Sequence, residues 1–200
     1  MEHTEYFSVH HGLTINLEPL TIDASLPDPV QFEQEIPAPF RTANEFTLID
    51  ERAVKQLSEL GLGAQAPALL DYLNAQQQKL DLLLTYILSQ QDDPQKRYQT
   101  QTFGASQMTL ICPPNLTLNQ YCKLWIFLQH PASAVYCYGQ VVALDQNEQN
   151  ETIATIRYTL LQEQDRDKLI RGALYHQQQL LRQRSQHRQL NEHSELSNHK

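Results

Sequence analysis

The stretch Ala154-Thr-Ile156-Arg157-Tyr158-Thr-Leu160-Leu-Gln-Glu-Gln-Asp165-Arg-Asp-Lys-Leu169-Ile170 decides the fold, because its period changes within it. Up to Leu160 it belongs to a strand pattern covering Thr152–Leu160. From about Gln164 to Arg184 the apolar residues return at helical spacing, with Leu169, Ala173 and Leu180 beside Ile170, Leu174 and Leu181 on the expected inner face. Working back along the chain, Tyr98–Phe103, Met108–Cys112, Tyr121–Leu128 and Val135–Leu144 are further strands. In the third, Leu124, Ile126 and Leu128 alternate with Lys123, Trp125 and Phe127. The breaks are turn-forming: Pro113-Pro114-Asn115, His130-Pro131 and Asp145-Gln146-Asn147. Short strands at this spacing read as a small sheet or barrel, closed by one amphipathic helix into a complete core.

Before these strands lies a long helical segment. It starts near Ala66, with Pro67 in a permissive first turn, and runs to Gln91, where Asp92-Asp93-Pro94 stops it. With Ala66 as heptad position a, positions a are Ala66, Leu73, Leu80 and Ile87, and positions d are Leu69, Gln76, Leu83 and Gln90. Leu70 and Leu84 widen the stripe at e. At 1.5 Å per residue the rod is roughly 40 Å long. It reads either as an amphipathic helix on its own domain or as a seam between chains through Leu69, Leu73, Gln76, Leu80, Leu83 and Ile87. Length and strict 3.5 spacing favour the seam, with Gln76 as a polar layer setting register. A shorter helix is expected over Thr47–Leu60, with Thr47 and Asp50 as a capping pair and Gly61 and Gly63 ending it.

Near the N-terminus, Leu13, Ile15 and Leu17 alternate with Thr14 and Asn16, and His10-His11-Gly12 is a candidate hairpin turn before that run. Pro19, Pro27, Pro29, Pro37 and Pro39 then imply an extended connector, since proline cannot donate to a ladder or a helix interior. The chain divides into a strand and Pro-rich connector (1–44), a helical oligomerisation region (45–94), a barrel with its closing helix (95–185) and a polar, disordered tail (186–200).

Composition narrows the function. The 200 residues carry a formal charge of −8, which argues against a general nucleic-acid binder. The whole excess falls in residues 1–60, while Asp165–Arg188 is mildly basic. These are two solvated faces, or surfaces that meet within the monomer or across an oligomer. No apolar run reaches the roughly 18 residues of a membrane helix, and no signal-peptide order is present, so a cytoplasmic chain without membrane insertion is expected. Cys112, Cys122 and Cys137 have no paired spacing and are expected to be reduced and packed in strands. There is no GxSxG, HExxH or Gly-rich phosphate loop, hence no catalytic residue, no metal site and no enzyme. His10 and His11 are adjacent and poorly disposed to chelate, and His187, His193 and His199 lie in the tail.

The stretch quoted first, with Tyr175-His-Gln-Gln-Gln-Leu180-Leu-Arg182 after it and Gly139-Gln-Val141-Val142 before it, is similar to the last strands and closing helix of PilZ domains. The heptad helix ahead of the strands resembles the atypical, tetramer-forming PilZ subfamily. The resemblance implies an α+β fold: a six-stranded antiparallel β-barrel with a C-terminal helix, and an inserted long heptad helix forming an oligomeric bundle. The C-terminal part offers five strands, so Leu13–Leu17 is expected to supply the sixth, with the connector and helices inserted within the barrel. The resemblance also implies bacterial cyclic di-GMP signalling. Of the family's [D/N]xSxxG motif, aligned on Gly104–Thr109, Ser106 alone is retained, and no RxxxR precedes the barrel. The only RxxxR is Arg184-Ser-Gln-His-Arg188, at the other end, either by chance or for use across an oligomer. The expected function is therefore a non-enzymatic signalling adaptor, a homo-oligomer (a tetramer in that subfamily) with an unidentified protein partner and no cofactor. The alternative is a cyclic di-GMP receptor with a noncanonical site at Ser106, Arg184 and Arg188.

Overall fold

The computed structural model describes residues 8–45, 66–129 and 132–197. The helix expected over Thr47–Leu60 and the His130-Pro131 break lie outside the described residues.

Strands β2 (Thr14–Pro19), β3 (Arg97–Gly104), β4 (Gln107–Ile111), β5 (Tyr121–Gln129), β6 (Ala132–Gln146) and β7 (Thr152–Leu160) form an antiparallel barrel. The ring runs β2–β3–β4–β7–β6–β5 and closes when β5 pairs back onto β2, with Leu17 opposite Leu124. Closure removes the exposed edges that an open sheet would leave. The N-terminal run thus supplies the sixth strand, and everything between Pro19 and Arg97 is an insertion within the barrel. The five strands expected after Pro94 all form, each within a few residues of its expected limits.

A seventh, short strand, β1 (Ser8–His10), corrects the expected hairpin at His10-His11-Gly12. β1 and β2 do not pair with each other; both pair with β3, Val9 opposite Phe103 and Ile15 opposite Tyr98. They are two halves of one strand with a bulge at His11–Leu13. The chain does not reverse because Thr100 captures the bulge. Its hydroxyl accepts from the Leu13 amide at 2.9 Å and donates to the His11 carbonyl at 2.8 Å, satisfying groups a regular ladder would pair.

Inside the barrel, Leu13, Ile15, Leu17, Leu124, Ile126 and Ile156 meet side chains from all six strands. Gly139 permits this packing. A Cβ there would stand 2.5 Å from Ile156 Cγ2 and 3.0 Å from Leu124 Cδ1. Cys122 and Cys137 are buried in this core, Cys112 is half-buried after β4, and all three are free thiols. Burial pushes the Cys122 thiol up to about 12, which makes it inert.

A second core lies on the outside of β5 and β6, where Trp125, Phe127, Tyr136 and Tyr138 point away from the barrel. Here the Pro-rich connector departs from expectation. It is not extended throughout but folds into α1 (Pro29–Glu35) and a helix α2, described over 38–45. Pro29 and Pro39 are compatible because they sit in helix first turns, where no amide bond is lost, while Pro19 ends β2 and Pro27 and Pro37 stand outside the helices. Pro29 opens α1 behind the cap Asp28, whose carboxylate accepts from Val30 and Gln31. Phe32, Ile36 and Phe40 from these turns cover the aromatic face.

The long helix α3 (Ala66–Ser89) forms as expected, two residues short of Gln91. Its return to the barrel is fixed by Asn16, buried although its alternation placed it outward. The Asn16 amide donates to Asp92 and to the Asp93 carbonyl and accepts from the Asp93 amide. The last helix, α4 (Glu163–Ser197), closes the barrel through Leu169, Gly172 and Ala173. Leu174 and Leu181, expected on its inner face, are exposed instead, because the face is rotated toward Asp165, Lys168 and His176. The helix also runs to Ser197 through the segment read as a disordered tail. From Ala173 to Ser197 the chain holds no glycine or proline, and Gln, Leu and Arg are good helix formers.

Candidate functional site

α3 presents two separate stripes. Leu84 and Leu88 are buried against the second core, with Gln77 and Asp81 half-buried above them. These four residues recur at i, i+4, i+7 and i+11, one face of a helix. The heptad seam lies elsewhere on the surface. Leu69, Leu73, Leu80, Leu83 and Ile87 are all exposed, Leu83 at 60%, and Gln76 is half-buried. The structure therefore brings the six seam residues onto one rod and leaves the apolar ones uncovered by their own barrel. Leu84, expected to widen the seam, is instead used for the chain's own packing. Tyr72, Leu82 and Tyr86 are exposed too, and sequence reasoning passed over them because they fall outside positions a, d and e.

Two polar clamps hold the inserted helices against the barrel. In the first, Glu35 at the end of α1 accepts from Tyr138 at 2.5 Å, Tyr136 at 2.9 Å and Lys123 at 3.0 Å. Burial pushes the Glu35 carboxyl up, but the Tyr138 hydroxyl, the Lys123 ammonium and the Tyr136 hydroxyl together outweigh it and hold it below the ordinary glutamate value. A depressed carboxylate contributes stability above its unfolded pKa and loses it as pH falls through the folded one. Glu35→Gln is accordingly expected to destabilise the neutral protein by about 1–2 kcal/mol. The difference from the parent should shrink below pH 4, as read by urea unfolding at several pH values; a constant difference would contradict the clamp.

In the second clamp, Asp165 and Lys168 form an ion pair of 2.7 Å at the start of α4, almost wholly buried. Asn44 of α2 bridges them, accepting from Lys168 and donating to Asp165 at 3.3 Å. Burial raises the Asp165 carboxyl, with Lys168 and Asn44 opposing. Its second oxygen has no hydrogen-bond partner among the described residues.

Ser106 sits in the β3–β4 turn, where its carbonyl accepts from the Tyr158 amide at 2.9 Å. Arg184 does not come near it within the chain. Arg166 touches the turn, donating to the Ala105 carbonyl at 3.1 Å, and Arg184 lies eighteen residues further along α4, roughly 27 Å at 1.5 Å per residue. The side chain of Arg188 lies outside the described residues. The cations beside Ser106 are Arg166 and Arg157, the latter on β7 opposite Gln107. Sequence reasoning missed both, although they stand in the stretch that decided the fold. Their proximity to Ser106 depends on β4 pairing with β7, which no local pattern encodes. Thr109, at the motif's glycine position, joins its hydroxyl to that of Thr102 at 2.8 Å.

A cleft of about 320 Å³ lies between α1, α2 and the start of α4, lined by Glu33, Ile36, Arg41, Asn44, Glu45, Gln162 and Gln164. Among the described residues its lining includes no cysteine, serine or histidine. Among the described residues no group of three His, Cys, Asp or Glu converges on a metal position, and no helix is long and apolar enough to cross a membrane.

No family model matches this chain, and neither does any curated protein. Solved structures are similar to it. The inhibitor of motility of Bacillus subtilis is 8% identical over 90% of this chain, with a TM-score of 0.46, and this chain spans only 53% of that one. A tetrameric PilZ-domain protein of Xanthomonas campestris, described as self-assembled through a helical bundle, is 15% identical over 89% of this chain and 92% of its own, with a TM-score of 0.49.

Proposed function

We propose that this chain is a bacterial, cytoplasmic, non-enzymatic signalling adaptor: a degenerate PilZ-like barrel whose copies assemble, as a tetramer, through α3 and which acts by protein contact. The supporting observation is the division of labour on α3. One stripe, ending in Leu84 and Leu88, docks the helix on its own barrel, while the heptad stripe from Leu69 to Ile87 stays open. A helix serving a single chain needs one apolar face, and a second at strict heptad spacing suits sister helices. The nucleotide side is correspondingly poor. The motif position keeps Ser106, but Arg184 is remote from it and Thr109 fills the glycine position.

Light scattering on the full chain at tens of micromolar tests the assembly: four times the mass of one chain is expected, and a clean monomer overturns the reading. Calorimetry with cyclic di-GMP on protein of known mass tests the adaptor role. No saturable heat is expected. Micromolar binding weakened by Arg184→Ala would replace the adaptor with a nucleotide receptor.

A further inference from the structure

The heptad stripe of α3 is one side of a wider apolar arc. With Leu84 at zero and about 100° per residue, the barrel-facing Gln77, Asp81, Leu84 and Leu88 span about 0° to 60°. Leu73, Leu80 and Ile87 fall at about 300° to 340°, close to the barrel's flank. Leu69, Gln76 and Leu83 follow at about 260° to 300°. Beyond them, at about 200° to 240°, stand Tyr72, Lys79 and Tyr86, with Leu82 at about 160°. This last stripe is the part of the rod turned farthest from its own barrel. Its apolar members are also the most exposed on α3: Tyr72 at 61%, Tyr86 at 66% and Leu82 at 71%.

The arc therefore takes in about half the circumference, whereas a two-stranded seam uses only the narrow a and d positions. It is continuous, because Tyr72 and Leu73, Leu82 and Leu83, and Tyr86 and Ile87 are consecutive pairs that bridge its two sides. It is also long. Leu69 to Ile87 is eighteen residues, roughly 27 Å of helix. That is most of a 24-residue rod and matches a second rod better than a short peptide. Charge is sparse as well: α3 carries Asp71, Lys79 and Asp81 only, and of these Lys79 alone lies within the arc. Its stem can lie along the tyrosines while the ammonium reaches water.

The barrel's position orients the assembly. A barrel is far wider than the 8–10 Å at which packed helices approach, so barrels must lie outside a bundle of rods. An axis midway between positions a and d would bring a neighbouring rod against the barrel's flank. An axis at the middle of the whole arc, near Leu83 at about 260°, keeps the barrel outside and leaves both sides of the arc open to neighbours.

We propose that each α3 is covered by two sister rods, one along Leu73, Leu80 and Ile87 and the other along Tyr72, Leu82 and Tyr86, with Leu69, Gln76 and Leu83 nearest the bundle axis. This rests on the reading of α3 as the assembly element and adds to it a second contact, outside the a and d positions.

Sedimentation equilibrium on the full chain tests the second contact. The parent is expected to have the mass of four chains. Tyr72→Glu with Tyr86→Glu is expected to lower that mass at least twofold, with the circular dichroism of the barrel retained. A folded variant that keeps the parent mass would show that the tyrosines face water or serve a different protein, and would overturn the proposal. A parent of two chains would leave α3 as the assembly element and overturn the second contact alone. A parent of one chain would overturn both. Should the double variant fail to fold, hydroxyl-radical footprinting of the parent decides. Labelling of Tyr72 and Tyr86 that falls severalfold between dilute single chains and the assembled particle supports the contact, and equal labelling overturns it.

Discussion

Replacing Leu80 and Leu83 with glutamate is expected to reduce the particle to a single chain while the barrel stays folded. Both side chains are exposed on α3, Leu80 at 39%, so within one chain the exchange disturbs little packing. Between chains the effect is large. Burying the remaining exposed part of Leu69, Leu73, Leu80, Leu83 and Ile87 gains roughly 1 kcal/mol apiece, or about 5 kcal/mol per chain. Lost rigid-body freedom costs an estimated 4–15 kcal/mol per association. Two seams of this size barely offset that cost, and a bundle of more chains, which covers the apolar stripe from both sides, does so more securely. Four or more carboxylates forced into such a seam repel and lose their hydration. Sedimentation of the double variant should give the mass of one chain, with barrel absorbance and circular dichroism retained. If the variant instead unfolds, α3 belongs to the core of a monomer and the adaptor reading falls with it.

Lys168→Met is expected to be the most destabilising single exchange at a polar site, by about 3–5 kcal/mol at neutral pH, because it leaves Asp165 charged and unpaired where water does not reach. Exchanging both partners, as Lys168→Met with Asp165→Leu, should recover part of the loss, leaving the Asn44 amide unsatisfied. In the parent the shift of the Asp165 carboxyl is opposite in sign to that of Glu35, although for both variants the gap to the parent narrows as pH falls. Burial raises the Asp165 carboxyl above its ordinary value, so its protonated form is the one the fold favours. Without Lys168 that preference strengthens, and the gap between variant and parent should narrow as pH falls from 7 toward 5. Urea unfolding measures this. A loss below 1 kcal/mol at neutral pH would show that water reaches the clamp. The expected severity arises because the clamp joins α2 and α4 at one buried point.

The strands and the two long helices were legible because each carries apolar residues at its own regular period. Thr152–Leu160 matched its expected limits, and Leu124, Ile126 and Leu128 point inward as their alternation required. The bulge at His11–Leu13 was not legible, since it depends on the Thr100 hydroxyl, almost ninety positions away. Nor were α1 and α2. Five prolines suggested extended chain, and only the aromatic face of Trp125, Phe127, Tyr136 and Tyr138 explains why helices settle there. The α4 face was misjudged by one stripe because a buried ion pair, rather than Leu174, occupies the contact with α2.

The order of apolar and polar residues by itself determined the element types and the heptad stripe of α3, because period and length are local properties of a chain. Tertiary structure alone decided which stripe of α3 the chain keeps for itself, which arginines stand beside Ser106 and which histidine meets His11. Those pairings come from the folding of the barrel, which joins residues far apart in the chain, 61 positions for Ala105 and Arg166 and 165 for His11 and His176, and no local periodicity carries that information.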